Sequence, residues 1–347
     1  MDESKKNKIL VTGGCGFIGS HTVVSLIEKG FEPIIVDSLE NSEKFILENL
    51  QTLTKTRIKF YHENCCDELA MKKIFAEENL SGVIHFAAYK AVGESVAQPL
   101  KYYKNNIGSL ITLLELCEKY KVSNFIFSSS CTVYGNPDNI PVNESTPIRK
   151  AESPYGETKI ICENIINQFS SVNSWFKPVI LRYFNPIGSH PSGLIGELPI
   201  GVPNNLVPFI TQTAKGIRKE LTVFGNDYST TDGTCVRDYI HVCDLADAHV
   251  VSLSKIDHIK SFPVYYNLGT GKGNSVLEVI QIFEKISSSK LNYIIGKRRS
   301  GDVESIYANT SKAQNELGWK CKFSLEDALN HAWNWENSYA NFKSTNE

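Results

Sequence analysis

The sequence holds no CxxC pair, although it carries nine cysteines. With an odd count and no zinc-ligand spacing, the cysteines read as free thiols in a reducing compartment, and neither a disulfide framework nor a metal site is expected. No stretch is apolar for 18 residues, so no membrane-spanning helix is expected. The opening MDESKKNKILVTGG has no signal-peptide core and reaches a strand pattern within ten residues, so the expected location is cytoplasmic, away from any membrane. A long basic run is also missing, and 36 Lys+Arg against 38 Asp+Glu leave a net charge of −2. That balance argues against a nucleic-acid surface. There is no fixed-period repeat and no low-complexity tract. What remains is 347 residues with 41% hydrophobic and 21% charged content. That is ordinary for a soluble globular protein and long enough for two lobes or one large α/β domain.

In the first half, short apolar runs alternate with amphipathic stretches. KILVTG, PIIVDS, IKFYHE, GVIHFAA and NFIFSSS are separated by helical patterns such as SHTVVSLIEKG and NIGSLITLLELCEKY. Strand-like runs spaced by helices predict βαβ units and a doubly wound parallel sheet. After about residue 185 the pattern changes, and NPIGSHPSGLIGELPIGVPNN reads as loop because Pro and Gly are frequent. The expected division is residues 1–184 as a cofactor-binding domain and 185–347 as a smaller mixed α/β substrate lobe. A return to the first domain is expected at 237–262, where YIHVCDLADAH reads as a strand and a helix capped by Asp244.

TGGCGFIGSH lies between a predicted strand and a predicted helix. Gly14, Gly16 and Gly19 fit G-x-G-x-x-G, and Gly13, Gly16 and Gly19 fit the wider G-x-x-G-x-x-G. Glycines there permit a tight turn, let a pyrophosphate approach the backbone and let the helix pack on the sheet. Asp37 closes the next strand, 18 residues after Gly19. A carboxylate at that place can accept from a ribose 2′-OH and repels a 2′-phosphate, which selects NAD over NADP. The fold expectation is therefore Rossmann-type.

SPYGETK places Tyr155 and Lys159 four residues apart. On spacing alone this also fits a solvated helix face. Downstream of a dinucleotide cradle, and with SSS (128–130) closing a strand, a second reading opens. Ser130 would hold a substrate oxygen while a tyrosinate, favoured by the Lys159 cation, takes its proton.

Several longer runs appear in one order: KAVGESVAQPL, FSSSCTVYG, SPYGETK, LRYFNPIGSHPSG, PNNLVPFI, VFGNDYSTTDGTCVRDYIHV and RRSGD. On these the chain resembles the extended short-chain dehydrogenase/reductase superfamily and, within it, the UDP-glucose 4-epimerase family. The likeness runs from KILVTGGCGFIGSH to the late WNWEN. It implies reversible interconversion of UDP-galactose and UDP-glucose at C4 through a 4-keto sugar, with transient hydride transfer to bound NAD. Ser130, Tyr155 and Lys159 would be catalytic. Gly13, Gly16, Phe17, Ile18, Gly19, Asp37, Ser38, Asn41, Ser42, Asn64, Cys65, Phe86, Ala87, Lys90, Asn105 and Phe184 would line the cofactor with them. Lys90, Asn185, Asn205, Leu206, Thr222, Val223, Phe224, Arg237, Arg299, Asp302 and Ile306 would meet the UDP-sugar. The resemblance also implies a homodimer.

The chain departs from the family pattern in places. Asn64-Cys65 stands for Asp-Ile, Ser38 for Asn, Ala88-Tyr89 for Gly-Leu and Gly108-Ser109 for Asn-Gly. Ile306, at a position that sets room for an N-acetyl group, implies weak use of N-acetylated sugars. Two other readings are a nucleotide-sugar 4,6-dehydratase and a non-catalytic dinucleotide sensor. Cys131-Thr132-Val133-Tyr134 lacks the Asp-Glu pair of the first, and Ser130, Tyr155 and Lys159 together argue against the second.

Overall fold

The structure is a computed structural model that describes residues 7–299 and 301–346, with side chains through Tyr339. In chain order its first half runs β1 (Lys8–Thr12), α1 (Phe17–Glu28), β2 (Glu32–Val36), α2 (Lys44–Thr54), β3 (Lys59–Tyr61), α3 (Glu68–Glu77), β4 (Gly82–His85), α4 (Val92–Ala97), α5 (Pro99–Tyr102), α6 (Gly108–Tyr120), β5 (Asn124–Ser130), α7 (Pro154–Val172) and β6 (Lys177–Tyr183). The rest runs β7 (Asn185–Ile187), α8 (Leu206–Ala214), β8 (Leu221–Phe224), β9 (Val236–Arg237), β10 (Tyr239–His241), α9 (Val242–Ser254), β11 (Val264–Leu268), β12 (Asn274–Ser275), α10 (Val276–Ser287), β13 (Tyr293–Gly296), β14 (Ser305–Ile306) and α11 (Leu325–Asn346).

Seven strands form the main sheet in the order β11-β6-β5-β4-β1-β2-β3, every neighbouring pair parallel. Parallel strands must be covered on both faces, and the residues alternate accordingly. Ile9, Val11, Ile35, Ile126, Val179 and Leu181 pack on one side with Val23, Leu26 and Leu50. Leu10, Ile34, Phe125, Phe127 and Ile180 pack on the other with Met71, Leu113 and Ile166. The order β3-β2-β1-β4-β5-β6 is that of a Rossmann fold, and the chain reverses direction across the sheet between β1 and β4. Ligands of such sheets bind outside the carboxyl ends of the strands at that switch.

The second half contributes to both layers. Leu245, Ala248, Val250 and Leu253 of α9 join the core that holds α1. β11 then pairs with β6, so the chain's return extends past residue 262. Asp244 does not cap α9, as the sequence suggested. The His241 side chain takes the Cys243 N–H at 3.0 Å, and the Asp244 carboxylate accepts from the backbone of Lys322 and Phe323. The 185–187 stretch, read as loop, is β7, held in register by β10. A separate core forms around Val207, Ile210, Val223, Val279, Phe283 and Leu329.

Candidate active site

β1 ends at Thr12 and the chain turns through Gly13, whose φ of +70° is disfavoured for residues with a Cβ. A Cβ on Gly13 would meet the Ala87 nitrogen at 2.9 Å, and one on Gly19 would lie 2.1 Å from the Gly13 oxygen. The turn therefore demands glycine at both positions, while a Cβ on Gly16 meets only the Gly13 oxygen, at 3.2 Å. Gly16 caps α1 with no side-chain hydrogen bond, which leaves N–H donors of the first turn, where Phe17 and Ile18 lie, for an anion. Asp37 sits beside this turn, 8% exposed. Its carboxylate accepts the Cys15 and Leu39 N–H groups, both at 2.9 Å, and the Ser42 hydroxyl at 3.1 Å. A backbone cradle with a dipole end and a fixed carboxylate fits NAD.

The neighbouring loops complete this edge. Phe86 follows β4, and its ring lies 4.7 Å from that of His249 on α9. Asn105 lies in a π-helical turn (Tyr103–Ile107), an irregularity that often marks functional sites. The Asn64 side chain is committed to its own turn, accepting the Cys66 N–H at 2.8 Å, and Cys65 is buried. The Ser38 carbonyl contacts His62 Nε2 at 3.0 Å, while Asn41 is exposed.

Ser130 is the last residue of β5, and its Oγ accepts the Thr132 N–H at 3.2 Å. Helix α7 starts where SP predicts: Ser153 Oγ accepts the Gly156 N–H at 3.2 Å, and Pro154 is the first helical residue. Tyr155 and Lys159 then share a buried face. Lys159 Nζ donates to the Ser128 carbonyl at 2.7 Å and lies 5.0 Å from the Phe127 ring and 5.9 Å from the Tyr155 ring. Burial pushes its ammonium down to about 8. The Tyr155 phenol is not lowered as the spacing suggested. Burial, then the nearby Tyr183, hold it above the ordinary tyrosine range, against a hydrogen bond from Ser130 that pulls it down. Desolvation dominates the shift, and the Lys159 ammonium is aimed at the Ser128 carbonyl.

Behind this face lies a network that sequence reading missed. Arg182 on β6 forms a two-pronged pair with Glu163 on α7, at 3.0 and 2.6 Å. Ser129 donates to the same carboxylate at 2.5 Å, and Arg182 donates to the Tyr134 hydroxyl at 3.2 Å. Both charges are nearly fully buried. The network locks α7 to β5 and so holds Tyr155 beside Ser130. The spacing marked only one half of it, since Glu163 continues the four-residue spacing of Tyr155 and Lys159, while nothing in the sequence pointed to Arg182 as its partner.

Opposite stands a charged wall. Asp302 accepts from Arg299 at 3.1 and 2.8 Å and pairs with Arg237 at 3.7 Å. The Arg299 guanidinium lies 5.5 Å from the Phe224 ring. β8 alternates: Thr222 and Phe224 face outward, while Val223 is core. β14 pairs with β9, opposing Ile306 to Arg237. Ile306 is 4% exposed and packs with Cys131, Phe184 and Ala308. Asn185 opens β7, donating its N–H to the Asp238 carbonyl at 3.0 Å, and Leu206 opens α8 behind the Asn205 cap. Asn205 and Lys90 meet at a second missed residue, Glu197, whose Oε1 accepts from both, at 2.5 and 3.1 Å. The Glu197 carbonyl is itself held by the Trp335 indole N–H at 2.9 Å.

Residues 10–332 match the family model described as GDP-mannose 4,6 dehydratase. "UDP-glucose 4-epimerase 2" of Arabidopsis thaliana is 49% identical over 97% of this chain and 98% of its own. The crystal structure of UDP-glucose 4-epimerase from Bifidobacterium longum in complex with NAD+ and UDP superposes with a TM-score of 0.93 at 47% identity, covering 96% of this chain and 99% of its own. That of the Stenotrophomonas maltophila enzyme, with bound NAD and formylated UDP-arabinopyranose, gives 0.94 at 43% identity over 97% and 99%. The chain belongs to the UDP-glucose 4-epimerase family. The dehydratase model is a family-level match over the same chain. Among the described residues, no helix is long and apolar enough to cross a membrane.

Proposed function

We propose that this protein interconverts UDP-galactose and UDP-glucose by inverting C4 of the sugar, with NAD as a bound cofactor. The observation that carries the reading is one sheet edge that holds both the glycine cradle after β1 and the Ser130–Tyr155–Lys159 face after β5. NAD, when bound, supplies reversible oxidation at C4. The chain does the rest. Ser130 Oγ holds the sugar O4, and Tyr155, in its phenolate form, takes the O4 proton and returns it. Lys159, fixed by Ser128, brings positive charge to the tyrosine ring. Gly13, Gly16 and Gly19 admit the pyrophosphate of the cofactor to the backbone, and Asp37 faces its ribose.

Arg237 and Arg299 hold the pyrophosphate of the UDP-sugar, and a planar guanidinium suits that contact. Asn185, Lys90 and Asn205 hold its sugar side, and Thr222–Phe224 border the uracil. In this reading residues 1–184, with the return through α9 and β11, form the NAD-binding domain, and residues 185–347 otherwise form the UDP-sugar lobe. The protein works in the cytoplasm as a homodimer.

The test incubates the purified protein with UDP-galactose and separates the products. UDP-glucose should form without added oxidant, and acid denaturation should release NAD. A 4-keto-6-deoxy product would instead establish the dehydratase reading, and absence of turnover would leave a dinucleotide sensor.

A further inference from the structure

The glycine turn follows β1, which lies between β4 and β2 in the sheet. The loops after β4 and β2 therefore flank the turn on either side. A side-chain bond that joins those two loops is placed to bridge over the turn between them. The structure contains one. The Tyr89 hydroxyl, in the loop after β4, donates to the Glu40 carboxylate, in the loop after β2.

Both halves rest on fixed bases. The Tyr89 N–H donates to the Asn106 side chain at 2.9 Å, and Asn106 donates back to the Tyr89 carbonyl at 3.1 Å. Asn106 is 3% exposed and also donates to Thr158 of α7, at 3.1 Å. The Tyr89 ring stacks under Lys101, whose Nζ is 4.3 Å from its centre and pairs with Glu94 at 2.7 Å. On the other side Leu39, just before Glu40, has a φ of +57°. Few leucines adopt that conformation, and here the Leu39 N–H is held by Asp37 at 2.9 Å. Burial, then the bond to Glu40, push the phenol up to about 12, so it remains a donor at neutral pH.

We propose that Tyr89 and Glu40 form a clasp across the NAD cradle that slows the release of the cofactor. The inference rests on the reading of the glycine turn as that cradle. Loops joined by this side-chain bond have to part for a ligand lying beneath them to leave. The bond therefore acts on dissociation. A hydrogen bond to a charged group supports a slowing of about tenfold.

The experiment follows release of radiolabelled NAD from the full-length protein into excess unlabelled NAD. It compares wild type, Tyr89→Phe, Glu40→Ala and the double variant. Tyr89→Phe keeps the ring on Asn106 and under Lys101, and Glu40 is exposed, so both variants should fold. Each single variant should release NAD about tenfold faster, and the double variant no faster than either, because one bond is lost in all three. Unchanged release in the single variants would overturn the clasp, and so would additive effects. A faster association rate with unchanged release would also overturn it, since the bond would then gate an empty cleft. If wild type binds no NAD, the cradle reading fails first. If it binds NAD and the variants behave like wild type, only the clasp fails.

Discussion

At the sheet edge, Asp37 accepts three protein hydrogen bonds and Lys159 is 4% exposed. On the opposite wall, the Arg299 side chain is 53% exposed and pairs with Asp302, and Lys90, which reaches Glu197 from the loop after β4, is 60% exposed. The first region is pre-built from backbone turns and buried polar groups. The second consists of long cationic side chains held by local carboxylates. A rigid edge suits a cofactor that stays in place through every turnover. Exposed arginines can exchange a carboxylate partner for a phosphate one, which suits a ligand that enters and leaves.

The largest break in this contrast should come from Tyr155→Phe. It removes the proposed proton acceptor and leaves the cradle untouched. Turnover of UDP-galactose should fall about 10²–10⁴-fold, as for other positioned acid–base groups, with bound NAD unchanged. A variant within a few-fold of wild type would remove Tyr155 from the chemistry.

Arg182→Met tests whether the rigid edge depends on the network behind it. The substitution leaves Glu163 buried without its cation, which typically costs about 3–5 kcal/mol. Denaturant unfolding should record a loss of that order. Combining it with Glu163→Met should recover much of the stability, because no buried charge is left. A loss below about 1 kcal/mol in the single variant would mean that the pair is not held as tightly as its burial suggests.

Glu197→Gln probes the opposite wall and should do less. Lys90 is largely solvated, so its pairing contributes little to stability. KM for UDP-galactose should change about three- to tenfold, with kcat moving less, because Glu197 sets where Lys90 and Asn205 stand. A loss confined to kcat would place Glu197 in the chemical step instead.

The same contrast explains what the sequence revealed. The cradle was legible because its determinants are contiguous: glycines at fixed offsets, a strand before them and a helix after. Asp37 and the Tyr155–Lys159 pair follow from short periods. The Arg182–Glu163 lock was not, because a β6 arginine and an α7 glutamate meet only after the sheet is assembled. Glu197 was hidden in a Gly- and Pro-rich stretch that reads as loop, and its role needs Lys90, more than a hundred residues away. The direction of the Tyr155 shift was also beyond sequence. Spacing shows that a cation is near, while burial, which dominates here, is a property of the packed fold.

Ile306 should give the smallest effect. It is buried against Cys131 and Phe184, next in the chain to Ser130 and Asn185, and it opposes Arg237 in the β9–β14 register. It therefore shapes the site from behind, through the residues it supports. Ile306→Val removes one buried methylene and should cost about 0.5–1.5 kcal/mol of stability. A small relaxation of the wall should accompany it, because a packed core transmits a volume change to its neighbours. The ratio of kcat/KM for UDP-N-acetylgalactosamine to that for UDP-galactose should then rise by no more than about tenfold, since overpacking relieved by one methylene is worth about 1 kcal/mol. The measurement is that ratio in both proteins, beside a denaturation curve for each. An unchanged ratio with the expected stability loss would make Ile306 a core residue alone, and the limit on N-acetyl sugars would have to lie elsewhere on the wall.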